Sequence, residues 1–163
     1  MSEDRPYRRG VGVVLLNKDG LVFAGCRADR EEEAWQLPQG GMESGERPIS
    51  AAFRELREEI GCDKAEVIDQ LRVVTRYDFP PEAADTERGS LYRGQEHRWV
   101  VMRFLGEDGN IDLSRSEAEF RAWRWLPWQE VVERAVAFKR SGYAKVFEEL
   151  ADERLIGGIR SPP

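Results

Sequence analysis

The chain has 163 residues, 40% of them hydrophobic and 34% charged, with five Trp, four Tyr and seven Phe. That composition excludes a disordered segment and suits one ordinary folded domain, expected to span residues 1–163. Its net charge of −6 has the wrong sign for a protein that grips polyanions through counterion release, so a nucleic-acid or nucleotide substrate requires a local basic pocket.

No run reaches the roughly 20 apolar residues of a membrane span, and "MSEDRPYRRG" is too polar for a signal peptide. Cys26 and Cys62 have neither metal-ligand spacing nor a disulfide framework. These features predict a cytoplasmic protein with no membrane partner, in which both cysteines are small core residues.

In chain order, "GVGVVLLN", "KDG" and "LVFAGC" predict two β-branched strands joined by a tight turn. "RADREEEAWQLPQGGMESGE" is a loop rich in Gly and charge, with Trp35 and Leu37 expected to anchor it to the core. From Arg47 the period becomes helical. Pro48 suits a first turn, Ile49, Ala52, Phe53, Leu56 and Ile60 recur at helical spacing, and Gly61 is a natural stop. "AEVIDQLRVVTRYDF" is extended, "DFPPEAADTERGSLYRG" is a long polar loop, and "HRWVVMRFL" is a strand followed by a "GEDGN" turn. "AEFRAWRWLP" alternates with period two up to Pro127, and two helices, about "WQEVVERAVAF" and "GYAKVFEELADERL", close the pattern.

The helix carries "RELREEIGC", with Glu55 one turn from both Glu58 and Glu59. Like charges at that spacing cost a few tenths of a kcal/mol each. One explanation is a solvated face relieved by Arg54 and Arg57, since Arg54 and Glu58 are an i,i+4 pair. The other is a ligand set for a hard divalent cation, because the glycine-rich "PQGGMESGE" leads straight into the helix and can bring backbone groups close to phosphate and metal. His97 is the one histidine. With no nucleophilic Ser or Cys signature beside it, it is expected to be structural or a peripheral contact.

The long spacing separates the two explanations. From Gly40 the chain reads Gly, five residues, Glu46, seven residues, Arg54-Glu55-Leu56, one residue, Glu58-Glu59, one residue, Gly61 and an apolar residue. That pattern resembles the Nudix box of hydrolases acting on nucleoside diphosphates linked to another moiety. Cys62 stands where the box usually carries a bulky aliphatic residue. Over about residues 7–150 the resemblance extends to the branch of bacterial RNA pyrophosphohydrolases and diadenosine polyphosphate hydrolases, through "YRRGVGVVLLN", "AWQLPQGGMESGE", "YRGQEHRWVVMRFLG", "EFRAWRW" and "VAFKRSGY". Residues 30–33 and the tail 151–163 have no counterpart in it.

The resemblance implies an α/β fold, a Nudix-type α/β/α sandwich with a mixed β-sheet, and a metal-dependent phosphoanhydride hydrolase. It implies that Glu55, Glu58 and Glu59 bind Mg2+, with Mn2+ or another divalent cation able to substitute, and that Gly40 offers a backbone carbonyl. Glu119 would add a ligand or act as general base, with Glu58 the alternative base, while Glu46 and Arg54 brace the loop against the helix beside Gly41 and Gly61. Arg8 and Arg27 would contact phosphate or RNA, Gln95 and Tyr77 would line the cleft, and Phe138 with Lys139 would receive a base. The implied partners are a 5'-triphosphate RNA, a dinucleoside polyphosphate, or both; DNA is not expected. Two alternatives stand beside it: a Nudix hydrolase of nucleoside triphosphates, ADP-ribose or nucleotide sugars, and a noncatalytic nucleotide-binding module, against which the three intact box glutamates count.

Overall fold

The computed structural model describes residues 4–27, 34–115 and 120–155. Strands β1 (Tyr7–Leu16), β2 (Val22–Arg27), β3 (Trp35–Gln36), β4 (Gln39–Gly41), β5 (Ala65–Asp78), β6 (Gly94–Phe104) and β7 (Phe120–Leu126) join in one sheet. β1 lies at its centre. It pairs antiparallel with β2 through the predicted hairpin and with β4 through the glycine-rich loop, and parallel with β6 over its whole length. The sheet is therefore mixed, as expected.

The apolar run of β1 is continuous because both faces of the strand are covered. Val11, Val13 and Leu15 point to one side, where Ala51, Ala52, Leu56 and Ile60 of helix α1 (Pro48–Ile60) pack. Val14 and Leu16 point to the other, toward Val131 of α3 (Trp128–Arg134) and Val146, Phe147 and Leu150 of α4 (Ala137–Asp152). This period-two division makes the α/β/α sandwich. Full burial of Leu56 and Ile60 contributes about 1.5 to 3 kcal/mol each toward seating α1. Cys26, Cys62, Trp35 and Leu37 are buried, in line with their expected core roles.

Several element boundaries differ from the sequence pattern. Ile49, in the first turn of α1, is 38% exposed, so the packed stripe starts later in the helix. The expected glycine-rich loop contributes two short strands, β3 and β4, because it lies alongside β2 and β1 and pairs with them. The polar loop after β5 contains a 3-10 turn at Pro81–Asp85 and the short helix α2 (Glu87–Leu91), started by the Thr86 hydroxyl, which accepts from the Gly89 N–H at 2.9 Å. The first closing helix ends at Arg134, and Ala137 opens the second, so Gly142 lies inside α4 rather than before it. The fold's tolerance of a helical glycine reflects tertiary packing: Gly142 sits against Thr75 of β5. Glu119 and residues 30–33 lie outside the described residues.

Candidate active site

Helix α1 presents opposite faces to core and cavity. Proline at its start has no N–H to leave unpaired, and Gly61 closes it in the left-handed conformation at φ 68°. With Leu56 and Ile60 turned to the sheet, the 3.6-residue period turns Glu55, Glu58 and Glu59 toward β4. Glu55 and Glu59 are only 6% and 3% exposed; the side chain of Glu58 is 53% exposed.

Arg54 organises these carboxylates. Its Nε and Nη2 donate to the two oxygens of Glu46, each at 2.8 Å, and Nη2 also donates to the Gly41 carbonyl at 2.7 Å. Nη1 reaches Glu55 at 2.9 Å and Glu58 at 3.2 Å. All five guanidinium N–H groups are thereby used. Hydrogen bonds from Arg54 hold the Glu46 carboxyl down to about 2, and Glu46 also accepts from the Glu43 N–H at 2.9 Å. The Arg54 guanidinium is driven to still greater basicity by the same bond. Arg57, by contrast, leaves the glutamates and pairs with Asp63 at 3.0 Å.

Two glycines let this helix face touch the loop. A Cβ on Gly40 would sit 2.1 Å from the Glu55 carboxyl carbon, and one on Gly41 would sit 2.1 Å from the Arg8 guanidinium. The β4 backbone is thus sandwiched between an acid and a base, with no room for a side chain. Glu59 fixes the same segment by accepting the Gln39 N–H at 3.1 Å. Burial raises the Glu55 carboxyl above the ordinary range, opposed by Arg54 and reinforced by Glu58.

Sheet register brings the distant residues together. Arg8 of β1 is opposite Gln95 of β6, which is opposite Tyr77 of β5, so three side chains separated by up to 87 positions stand in one row on one face. Beyond them Phe138 lies 5.1 Å from the Tyr77 ring, and Lys139 is 5.8 and 5.9 Å above Tyr77 and Phe138. Lys139 is buried and donates to the Gln36 side chain at 3.2 Å. Burial pushes the Tyr77 phenol up, while a hydrogen bond with Gln39 and the charges of Arg27, Arg88 and Arg8 pull it down.

One cavity of about 500 Å³ runs along the α1 carboxylates and this row, and Arg8, Arg27, Gly40, Gly41, Arg54, Glu55, Glu58, Glu59, Tyr77, Gln95, Phe138 and Lys139 all line it. Glu46 lies behind Arg54, and Gly61 is at the helix end, away from the lining. Sequence reasoning missed Gln36, Gln39, Phe79 and Arg88, which also line the cavity. For Arg88 the available signal was Thr86, a helix-start residue inside the supposed loop.

The donor set is one of carboxylate oxygens facing a solvent-accessible cavity, which suits a hard divalent cation. Among the described residues no three His, Cys, Asp or Glu side chains converge closely enough to hold an ion as they stand; Arg54 Nη1 lies between Glu55 and Glu58 and donates to both.

The model of the NUDIX domain matches residues 6–150. This chain belongs to the NUDIX family. The RNA pyrophosphohydrolase of Cereibacter sphaeroides is 44% identical over 143 residues, covering 86% of this chain and 88% of that protein. The RNA pyrophosphohydrolase of Dinoroseobacter shibae is 46% identical over 149 residues, covering 90% and 93%. Among solved structures, the E. coli dihydroneopterin triphosphate pyrophosphohydrolase superposes with a TM-score of 0.65 at 20% identity, covering 86% of this chain and 97% of that one. NUDIX hydrolases generally need a divalent cation. No helix of the described residues is long and apolar enough to cross a membrane.

Proposed function

We propose that this NUDIX protein removes pyrophosphate from 5'-triphosphorylated RNA ends by hydrolysis of a phosphoanhydride bond. The observation that carries it is the single cavity joining the carboxylate face of α1 to the Arg8–Gln95–Tyr77 row and the Phe138–Lys139 pair. Relatives more than 40% identical over most of both chains bear that activity in their names. A dinucleoside polyphosphate offers the same features, a purine joined to a run of phosphates, and is a second substrate of the same site.

We assign Glu55, Glu58 and Glu59, with Glu119 and the Gly40 carbonyl, as holders of Mg2+, or of Mn2+ in its place. When bound, such an ion neutralises phosphate oxygens and lowers the pKa of an attacking water. Arg8 and Arg27 bind the phosphates. Phe138 offers a half-open ring, 39% exposed, on which a base can stack for roughly 1 to 3 kcal/mol, while Lys139 and Gln95 address its polar edge. Glu58 takes the proton from water, because it alone of the three box carboxylates reaches bulk solvent and can pass the proton on; Glu119 is the alternative base. Arg54 holds Glu58 and Glu55 in place during the step.

Rates on triphosphorylated RNA, diadenosine tetraphosphate and ADP-ribose at equal concentration test the assignment. Release of pyrophosphate from RNA is expected to be favoured; preferential cleavage of ADP-ribose overturns it. Glu58→Gln is expected to lower kcat by about 100-fold or more with an unchanged melting profile.

A further inference from the structure

Arg88 has no part in the scheme above, yet it lines the same cavity as Arg8. It is carried by α2, and that short segment is well fastened. The Thr86 hydroxyl donates to the Ala83 carbonyl at 2.7 Å and accepts from Gly89, the Tyr92 N–H returns to the Arg88 carbonyl at 3.0 Å, and the Arg93 N–H reaches Pro6 at 3.0 Å, just before β1. The connection through Arg93 ties α2 to the strand that bears Arg8.

Both guanidiniums are without a hydrogen-bond or ion-pair partner among the described residues. Burial, followed by the charge of Arg88, lowers the proton affinity of Arg8, while Glu55 raises it. Arg8 is therefore within electrostatic reach of both Glu55 and Arg88. Two like charges held beside a partly desolvated cavity repel each other until an anion enters between them.

We propose that Arg88 is a specificity residue that, together with Arg8, grips a phosphate of the substrate next to those held at the carboxylate end. The pair makes the site demand a continuous polyphosphate chain, because an anion with charge at the α1 end alone leaves the two guanidiniums unneutralised. The inference rests on the cavity being a polyphosphate site, and not on RNA being the substrate.

Calorimetric binding of inorganic tripolyphosphate in metal-free buffer, paired with steady-state kinetics on triphosphorylated RNA, tests it. Arg88→Gln keeps a long helix-compatible side chain without charge, and is expected to weaken tripolyphosphate about tenfold and raise KM by a similar factor. The change falls on KM rather than kcat, and Arg88→Lys recovers most of the affinity. Unchanged tripolyphosphate binding in Arg88→Gln overturns the proposal, as does an equal loss in Arg88→Lys, which points to helix geometry instead of charge. If RNA proves not to be cleaved while Arg88→Gln still weakens tripolyphosphate, the functional assignment fails and the role of Arg88 stands.

Discussion

Arg54 shows how much one side chain can determine. Its planar fork satisfies five acceptors from three places: the Glu46 turn, the β4 backbone and the cavity-facing carboxylates of α1. A lysine ammonium has three donors and no plane, so it cannot replace the bidentate bond to Glu46 while also reaching Gly41 and Glu55. Arg54→Lys is expected to cost about 2 to 4 kcal/mol of stability, read by urea unfolding, and to depress turnover as well. A stability change below 0.5 kcal/mol would show that the five bonds are exchanged for water without loss. The i,i+4 pairing with Glu58 was legible in the spacing. The bond to Gly41 was not, since it depends on where β4 lies.

At the scale of elements, the box helix could be read almost to the residue, because its proline, apolar period and glycine stop all act locally. The two closing helices could not be divided correctly: Ala135 and Val136 are extended between them, a break without glycine or proline to announce it. Strand β5 depends on α4 in a way no local pattern reveals. Its register with β6 shifts between Gln70 and Val74, and the N–H groups of Arg72 and Val73 turn from the ladder to the Glu149 carboxylate at 2.8 and 2.9 Å. Since α4 also carries Phe138 and Lys139, this carboxylate steadies the proposed base site from below. Glu149→Ala is expected to lose about 1 to 2 kcal/mol and to raise KM for RNA while sparing kcat; hydrogen exchange at Arg72 and Val73 should accelerate. No change in exchange there would place the support elsewhere.

Across the whole molecule, acid stability is set in part by the one histidine. His97 is fully enclosed by the sheet, stacked at 5.9 Å on Tyr77, and burial holds its imidazole down to about 3, with Lys139 and Arg8 adding to the effect. Below an unfolded value near 6.5 the unfolded chain takes a proton that the folded chain refuses. Stability therefore rises with pH through this window and falls as pH drops from about 6.5 toward 3, by up to about 1.4 kcal/mol per pH unit from this group. His97→Gln should flatten that slope in urea titrations at pH 4, 5 and 6. An identical slope in the variant would assign the acid sensitivity to carboxylates instead. Of the two expectations for His97, a structural role or a peripheral contact, its 2% exposure fits the first.

What the amino-acid sequence determined by itself is the box: Gly40, Glu46, Arg54, the three glutamates and Gly61 are near neighbours in the chain, so a turn and one helical period suffice to relate them. The hairpin and the period-two strands were fixed locally for the same reason. Tertiary structure alone decided that Arg8, Gln95 and Tyr77 form a row, because parallel pairing of β1 with β6 and antiparallel pairing of β6 with β5 set a register across residues far apart in sequence. It also decided which glutamates are buried and which meets solvent, and it placed Arg88 in the cavity. Those outcomes come from packing two layers of helices on a sheet whose central strand is buried on both faces, a constraint that no local spacing carries.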